Sequence, residues 1–379
     1  MGVDAVGEVC PLGPSGSERM TAATLGQRAQ ELDPFGLDAY FTGSPLRERT
    51  EASVVAQLND CVRRAAAEGW TPALALAALR DLGFLACAVE RRRPGVMSAC
   101  PGLEALLIDL GRACGHVPRD DNYTYGPANP HGARMRTFTG LDEERLLIAA
   151  IQHGLTGADE ALRVALALSE LPVDAPAFPR CVGLIAPAWH KMIEAAVDMR
   201  RNMPPPVFAF EILPWLVPLT VGGTTYRAPT GAAGQNCILD WFLHAADSKD
   251  ERYQRFWSLN RAEMIPEHRQ LVHEISSRMH GSSLLSRIER EVAASGDSEA
   301  IDRSVAELEH LLTEIYKFRK VHYRVASESL NLRPYPIGSG LESIELLDLM
   351  LQHTQAARTR AKQIQEHGTR TVAAAAVGA

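Results

Sequence analysis

The chain has 379 residues and a formal net charge of −7, and 46% of its residues are hydrophobic. This length suits one large domain or two smaller ones, and the hydrophobic share is enough for a sizeable core. The sequence has no basic stripe with interleaved aromatic residues, which argues against a nucleic-acid partner. It also has no apolar run long enough to predict a membrane span.

The seven cysteines are scattered along the chain and never spaced as CxxC. This pattern is typical of reduced thiols rather than of a disulfide framework or a zinc site. The first twenty residues lack the positive flank and the apolar stretch of a secretory signal. We therefore expect a cytoplasmic protein. HExxH and GxxxxGK motifs do not occur, so zinc-protease and nucleotide chemistry have no support.

Residues 1–45 are rich in glycine, proline and serine, and few of their apolar positions are periodic. We predict a flexible N-terminal extension there. A single helical domain is predicted for residues 46–365, followed by a disordered tail at residues 366–379. Inside the domain, Thr71-Pro72 is a helix-start signal and Gly115 is a helix-end signal.

Two segments interrupt the helical pattern. Residues 116–140 are polar and broken by glycine and proline, and for so long a loop we predict an ordered lid or a surface excursion. The prolines of residues 202–219 indicate irregular or kinked backbone. A glycine-rich segment with Tyr226 follows and predicts a tight turn or a pocket wall. Because alternating β-branched runs are nearly absent, we predict an all-α fold of about a dozen helices.

The segment of residues 301–341 combines a helix with a loop that cannot extend it. Apolar residues recur every three or four positions up to residue 325, as on one face of a helix, and His322 lies on that face. In the sequence NLRPYPIGSG that follows, the prolines block helical bonding, while Gly338 and Gly340 permit unusual backbone angles. A histidine on an apolar helix face is thus followed closely by a Gly-Ser-Gly loop.

Two interpretations of this segment stay open on spacing alone. In the first, His322 is a core histidine bonded to a backbone carbonyl. In the second, it is an axial ligand to heme iron, because a neutral imidazole is a common iron ligand and a helix holds it rigidly. The loop then approaches the cofactor or substrate, where Ser339 offers a hydroxyl. Arg319 is either a solvated surface arginine or a partner for a heme propionate.

A set of short segments resembles the monodechloroaminopyrrolnitrin synthase (PrnB) family, within the superfamily of indoleamine and tryptophan 2,3-dioxygenases. The resemblance covers the chain from about residue 70 to residue 361. In order, the segments are RDLGF (Arg80–Phe84), PGLEALLIDLGRA (Pro101–Ala113), FTGL (Phe138–Leu141), LPVDAPAF (Leu171–Phe178), VGGTTY (Val221–Tyr226), FRKVH (Phe318–His322) and IGSG (Ile337–Gly340).

The resemblance implies a large multi-helix domain of the indoleamine and tryptophan dioxygenase type that contains heme. It places the proximal heme ligand, and hence the metal-binding residue, at His322. Arg319, Gly338 and Gly340 are implied as further cofactor contacts. Because related hydroxylases that bind heme covalently have a cysteine at the position of Ala326, we expect heme b to be held non-covalently.

The resemblance also implies a substrate site. Ser339 is expected to be the catalytic residue near the distal face of the heme, and Tyr226 and Leu330 are expected to contact substrate with it. Three departures from the family put the choice of substrate in doubt. Leu330 replaces a family tyrosine, Ile212 replaces an arginine, and Ala228-Pro229-Thr230 replaces Gly-Pro-Gly.

These features predict a heme-dependent oxygenase of secondary metabolism that oxidises or rearranges the indole ring of tryptophan or a tryptophan derivative. Its partners are then an aromatic amino acid and dioxygen or peroxide, with no nucleic acid or membrane, and a homodimer is left open. One alternative is a heme-dependent hydroxylase of tyrosine or another aromatic amino acid. The other is a non-catalytic heme-binding helical protein.

Overall fold

The computed structural model describes residues 22–65, 69–229, 234–295, 299–340 and 343–377. Helices dominate these ranges, which confirms the predicted all-α fold. In chain order the α-helices are α1 (Ala22–Glu31), α2 (Asp38–Gly43), α3 (Glu51–Ala65), α4 (Pro72–Glu90), α5 (Val96–Ala99), α6 (Leu103–Cys114), α7 (Asn122–Tyr125), α8 (Asp142–Glu170), α9 (Phe178–Asn202), α10 (Gly234–Asp240), α11 (Glu251–Ala262), α12 (Pro266–Met279), α13 (Leu284–Ser295), α14 (Glu299–Leu330) and α15 (Ile344–Val377).

Shorter elements lie where the sequence predicted irregular backbone. The proline-rich stretch forms a π-helical turn at Val207–Ile212 and a 3₁₀ turn at Leu213–Trp215. An antiparallel hairpin follows, in which β1 (Leu219–Val221) pairs with β2 (Thr224–Tyr226). Gly222 and Gly223 join the strands with φ of +60° and +75°, angles that suit glycine and a tight hairpin turn. The predicted turn is therefore confirmed.

Capping explains where two of the early helices begin and end. The Thr71 hydroxyl accepts a hydrogen bond from the Leu74 amide (3.4 Å), so α4 begins at the predicted start signal. Gly115 ends α6 with φ of +74°, in the left-handed region. Among the described residues, α4 alone is long and apolar enough to cross a membrane, but 83% of its most apolar window is buried inside the protein.

Most of the buried apolar residues form two hydrophobic cores. The first is built from α1 to α7, the start of α8 and the hairpin region. The second is built from the rest of α8, from α9, and from the helices that follow residue 234. The long helices α8, α9, α14 and α15 pack against one another in that order, so α8 belongs to both cores and joins them.

The predicted flexible extension of residues 1–45 needs correction where the structure describes it. Leu25 on α1, Phe35 in the turn that follows and Phe41 on α2 are buried in the first core. The earlier residues of the predicted extension lie outside the described ranges. Helix α15 extends to Val377, and the disordered tail of residues 366–379 stays a prediction.

The segment of residues 116–140 is neither a lid nor a surface excursion. Arg119, Asn129 and Arg136 are fully buried in it. Polar side chains of this kind are buried only when they are bonded, and Arg136 donates to Asp81 (3.0 Å) and to Asp38 (2.6 Å). The segment therefore runs through the first core, where charged partners from α2 and α4 replace water.

The cysteines agree with the sequence prediction at five positions. The free and buried thiols are Cys61, Cys87, Cys100, Cys114 and Cys237. Cys181, by contrast, is disulfide-bonded. The expectation that all the cysteines are reduced is therefore wrong at this position.

Candidate functional site

A cavity of about 260 Å³ is lined by residues of both cores. Its walls come from α8, α9, α14 and α15 and from the loop before α15. Most of its surface is apolar, and only a few polar groups converge on it, as is typical of small-molecule sites. Apolar residues that α8, α9 and α14 contribute include Leu147, Ala150, Ile151, Met192, Ala195, Met199, Phe318, Val325, Ala326 and Leu330.

His322 lies on the α14 wall of this cavity. Its ring stacks on Phe318 with centroids 5.5 Å apart and an angle of 17° between the planes. Phe318 in turn meets the edge of the buried Trp189. Burial, with a smaller effect of the positive Arg319, lowers the pKa of His322 to about 4. The imidazole is therefore neutral at physiological pH, with a lone pair available for a metal or a hydrogen bond.

The Gly-Ser-Gly loop lines the same cavity as His322. Gly338, Ser339 and Gly340 all contribute to its surface, together with Ser343. An isolated antiparallel bridge joins Ile337 to Ser343 across the base of the loop, and this bridge fixes its position. The structure thus brings together the histidine and the loop that the sequence singled out.

Arg319 also lines the cavity, but its guanidinium is engaged. It forms an ion pair with the buried Asp240 at the end of α10, and His244 lies 3.6 Å from the same carboxylate. Burial alone would raise the pKa of Asp240, but Arg319 and then His244 outweigh it and hold the pKa below the usual carboxylate value. The Arg319 Nε is buried, without a hydrogen-bond partner among the described residues.

Of the other residues that the sequence singled out, some line the cavity and some do not. Leu330 and Ala326 line the cavity on α14. Tyr226 does not line it and packs instead against the first core. Ile212 is also absent from the lining, because it is buried in a small cluster of its own.

Among the polar residues that sequence reasoning missed are Arg227, which lines the cavity, and Asp240, which pairs with a lining residue. Arg227 lines the cavity directly after the hairpin, next to the glycine-rich segment for which the sequence predicts a tight turn or a pocket wall. Pro229 lines the cavity as well, while Thr230 lies outside the described residues. Asp240 was missed because nothing local indicates its pairing with a residue 79 positions away.

The residues present suit a heme rather than a bare metal ion. In the part of the chain that the structure describes, no three histidine, cysteine or acidic side chains converge on a common point. A porphyrin supplies four ligands to its iron, so one neutral imidazole from the protein is sufficient. The unpaired Nε of Arg319 would also be satisfied by a porphyrin carboxylate. An all-α domain with this cavity and this histidine has the architecture of a helical heme enzyme.

A sequence profile described as monodechloroaminopyrrolnitrin synthase PrnB matches residues 39–335. The match covers most of the chain and includes the histidine on α14. The chain belongs to this family. Its members are heme-dependent enzymes that modify tryptophan in pyrrolnitrin biosynthesis by an oxygenase-type reaction.

Proposed function

We propose that this enzyme binds heme b non-covalently in the cavity, with the imidazole of His322 as the iron ligand, and oxidises or rearranges the indole ring of tryptophan or a tryptophan derivative. The observation that carries the proposal is the neutral His322 on an apolar cavity wall that it shares with the loop of Gly338–Gly340. The substrate class follows the family, and the ligand assignment follows this geometry.

Two features of α14 support His322 as the ligand, and a third supports non-covalent binding of the heme. Its low pKa leaves the nitrogen lone pair unprotonated over the physiological range. Phe318 limits rotation of the ring by stacking on it. Ala326, one turn later on the same wall, has no thiol, so the helix offers the porphyrin no covalent bond there.

Arg319 and the loop of Gly338–Gly340 supply the other proposed contacts with the cofactor and the substrate. Arg319 would donate to a porphyrin carboxylate while Asp240 holds its other end. The backbone of Gly338 and Gly340 would approach the cofactor closely, because glycine has no Cβ. Ser339 would hold the bound oxidant or the polar end of the substrate by its hydroxyl.

When bound, heme supplies the oxidising chemistry by activating dioxygen or peroxide. The protein contributes orientation and a dry site. Apolar side chains of α8 and α9 would hold the flat aromatic ring and exclude water from it. Cytoplasmic location belongs to the proposal as well; the five free thiols support it and the disulfide at Cys181 does not.

The ligand assignment is tested by the heme content of purified protein from heme-replete cells. His322→Ala should lose stoichiometric heme and the intense Soret absorption of the wild type. His310→Ala is the matched control, because His310 is exposed on the same helix, and it should retain both. Full heme content with an unchanged spectrum in His322→Ala would overturn the assignment.

The substrate assignment is tested by titrating the heme-loaded wild type with tryptophan, chlorotryptophan and tyrosine. We expect the absorption spectrum to shift with the two indoles at lower concentration than with tyrosine. A preference for tyrosine would favour a hydroxylase of that amino acid. A heme spectrum that responds to none of the three would favour a non-catalytic heme-binding protein.

A further inference from the structure

A second, smaller cavity adjoins the first at Arg227. This side chain lines both cavities. The smaller one has a volume of about 60 Å³, and charged or amide groups make up much of its wall. They include Asp121, Asn260, Glu263 and His268. A mostly apolar cavity therefore ends beside a polar one, with a cation at the boundary.

Arg227 and Glu263 form a bonded pair of opposite charge at this boundary. Arg227 Nε and Nη2 donate to Glu263 Oε2 at 2.9 and 2.6 Å, and Nη2 also lies 3.4 Å from Asn260 Oδ1. The side chains of Arg227 and Glu263 are 11% and 27% exposed. The other ion pair beside the large cavity, Arg319 with Asp240, is 8% and 2% exposed. The carboxylate of Glu263 is therefore the one that can turn toward solvent or toward a ligand.

An α-amino acid carries a carboxylate and an ammonium group on the same carbon. A site that presents one cation and one anion side by side, next to an apolar cavity, matches that head group joined to an aromatic ring. The other charged groups of the small cavity pair with residues outside its wall. Asp121 is bonded to His116 (3.0 Å), and His268 lies 3.2 Å from Asp159.

We propose that Arg227 and Glu263 form the head-group subsite for the amino-acid substrate. Arg227 binds the carboxylate, and Glu263 exchanges part of its contact with Arg227 for the substrate ammonium. The aromatic ring then extends into the apolar cavity toward His322. This inference rests on the proposed function for its substrate class and adds the residues that distinguish an amino acid from other indoles.

The test compares three ligands by isothermal titration calorimetry on the heme-loaded full chain. Tryptophan carries both charges, tryptamine lacks the carboxylate, and indole-3-propionate lacks the ammonium. Arg227→Gln should weaken binding of tryptophan and indole-3-propionate at least about tenfold, because each loses a charge-assisted contact, and should leave tryptamine unchanged. Glu263→Gln should weaken tryptophan and tryptamine but not indole-3-propionate.

This crossed pattern separates binding from a structural role of the pair. A pair that only holds the fold would, when broken, weaken all three ligands alike in both variants, and that result would overturn the subsite. Arg278→Gln is the matched control, because Arg278 also pairs with a glutamate, Glu170 (2.8 Å), away from both cavities. It should leave all three affinities unchanged.

The outcomes also distinguish this inference from the proposed function. Wild-type protein that binds tryptophan, with variants that bind it equally well, overturns the subsite alone. If the wild type prefers tyrosine, the same crossed pattern is expected with tyramine and 4-hydroxyphenylpropionate. Heme-loaded protein that binds no aromatic amino acid overturns both proposals.

Discussion

Asp240 and Arg319 form an ion pair across the wall that carries His322, with only 2% and 8% of their side chains exposed. Removal of one partner would leave a buried charge without compensation. Asp240→Asn should therefore lower the free energy of unfolding by about 3–5 kcal/mol in urea denaturation. Glu299→Gln, which removes the partner of the exposed Arg303, should cost only about 0–1 kcal/mol.

A double variant separates the charge effect from the loss of packing. Asp240→Leu combined with Arg319→Met removes both charges and keeps similar volumes. We expect it to recover much of the stability lost in Asp240→Asn, because no unpaired charge is then buried. A double variant less stable than Asp240→Asn would contradict this account of the pair.

The loss of folding stability at low pH should be due in part to Asp81 in the first core. Burial would raise the pKa of this carboxyl, but Arg80 and Arg136 outweigh that effect and hold it below the usual value of 3.8. The unfolded chain then takes up the proton first, so the contribution to stability is present above about pH 4 and is lost as the pH falls through the folded pKa.

The direction of this pH dependence of stability can be checked with Asp81→Asn. This variant should be less stable than the wild type at pH 7, because two buried arginines lose a carboxylate partner. Below pH 4 its melting temperature should fall less steeply with acid. The difference in slope corresponds to at most about 1.4 kcal/mol per pH unit. Parallel curves for the two proteins would contradict the assignment.

The proposed position of the cofactor can be tested without a change to His322. Ala326 lies one turn after His322 on the cavity wall, and a phenyl ring there would fill the space beside the imidazole. Ala326→Phe should fold with an unchanged far-ultraviolet circular dichroism spectrum and bind little heme. Arg324→Phe on the exposed side of α14 should bind heme normally. Full heme content in Ala326→Phe would place the cofactor elsewhere.

Close packing of α8 against α9 supports two cavity walls and depends on Gly157. A Cβ at this residue would lie 2.3 Å from the backbone oxygen of Ala188, so the helices would have to separate. Gly157→Ala should therefore be destabilising, by about 1–3 kcal/mol or more. Gly43→Ala meets nothing within 4 Å and should be neutral or stabilising by up to about 1 kcal/mol. Thermal unfolding of the two variants provides the comparison.

Local signals in the sequence predicted local structure well. The cap at Thr71, the left-handed Gly115 and the apolar face that carries His322 each depend on residues within a few positions of one another, and all three are confirmed. The same is true of the loop that contains Ser339, whose prolines and glycines prevent a continuous helix. The structure places His322 and this loop on one cavity, which spacing alone left open.

What the sequence did not predict depends on partners far apart in the chain. The polar composition of residues 116–140 predicts a surface segment. The bonds of Arg136 to Asp38 and Asp81 explain why the segment is buried instead. The pairs Arg227–Glu263 and Arg319–Asp240 likewise have no periodic signature. Whether a charged residue is buried cannot be predicted until its partner of opposite charge is known.

The geometry of α14 also limits how the gene for this enzyme can vary. The helix runs unbroken for 32 residues, and each residue turns it by about 100°. An insertion or deletion of a single codon between Ile301 and His322 would therefore swing the imidazole away from the cavity while Ile301 stayed in the core. Homologous genes should differ along this helix by substitution, and should gain or lose codons in the connections between helices.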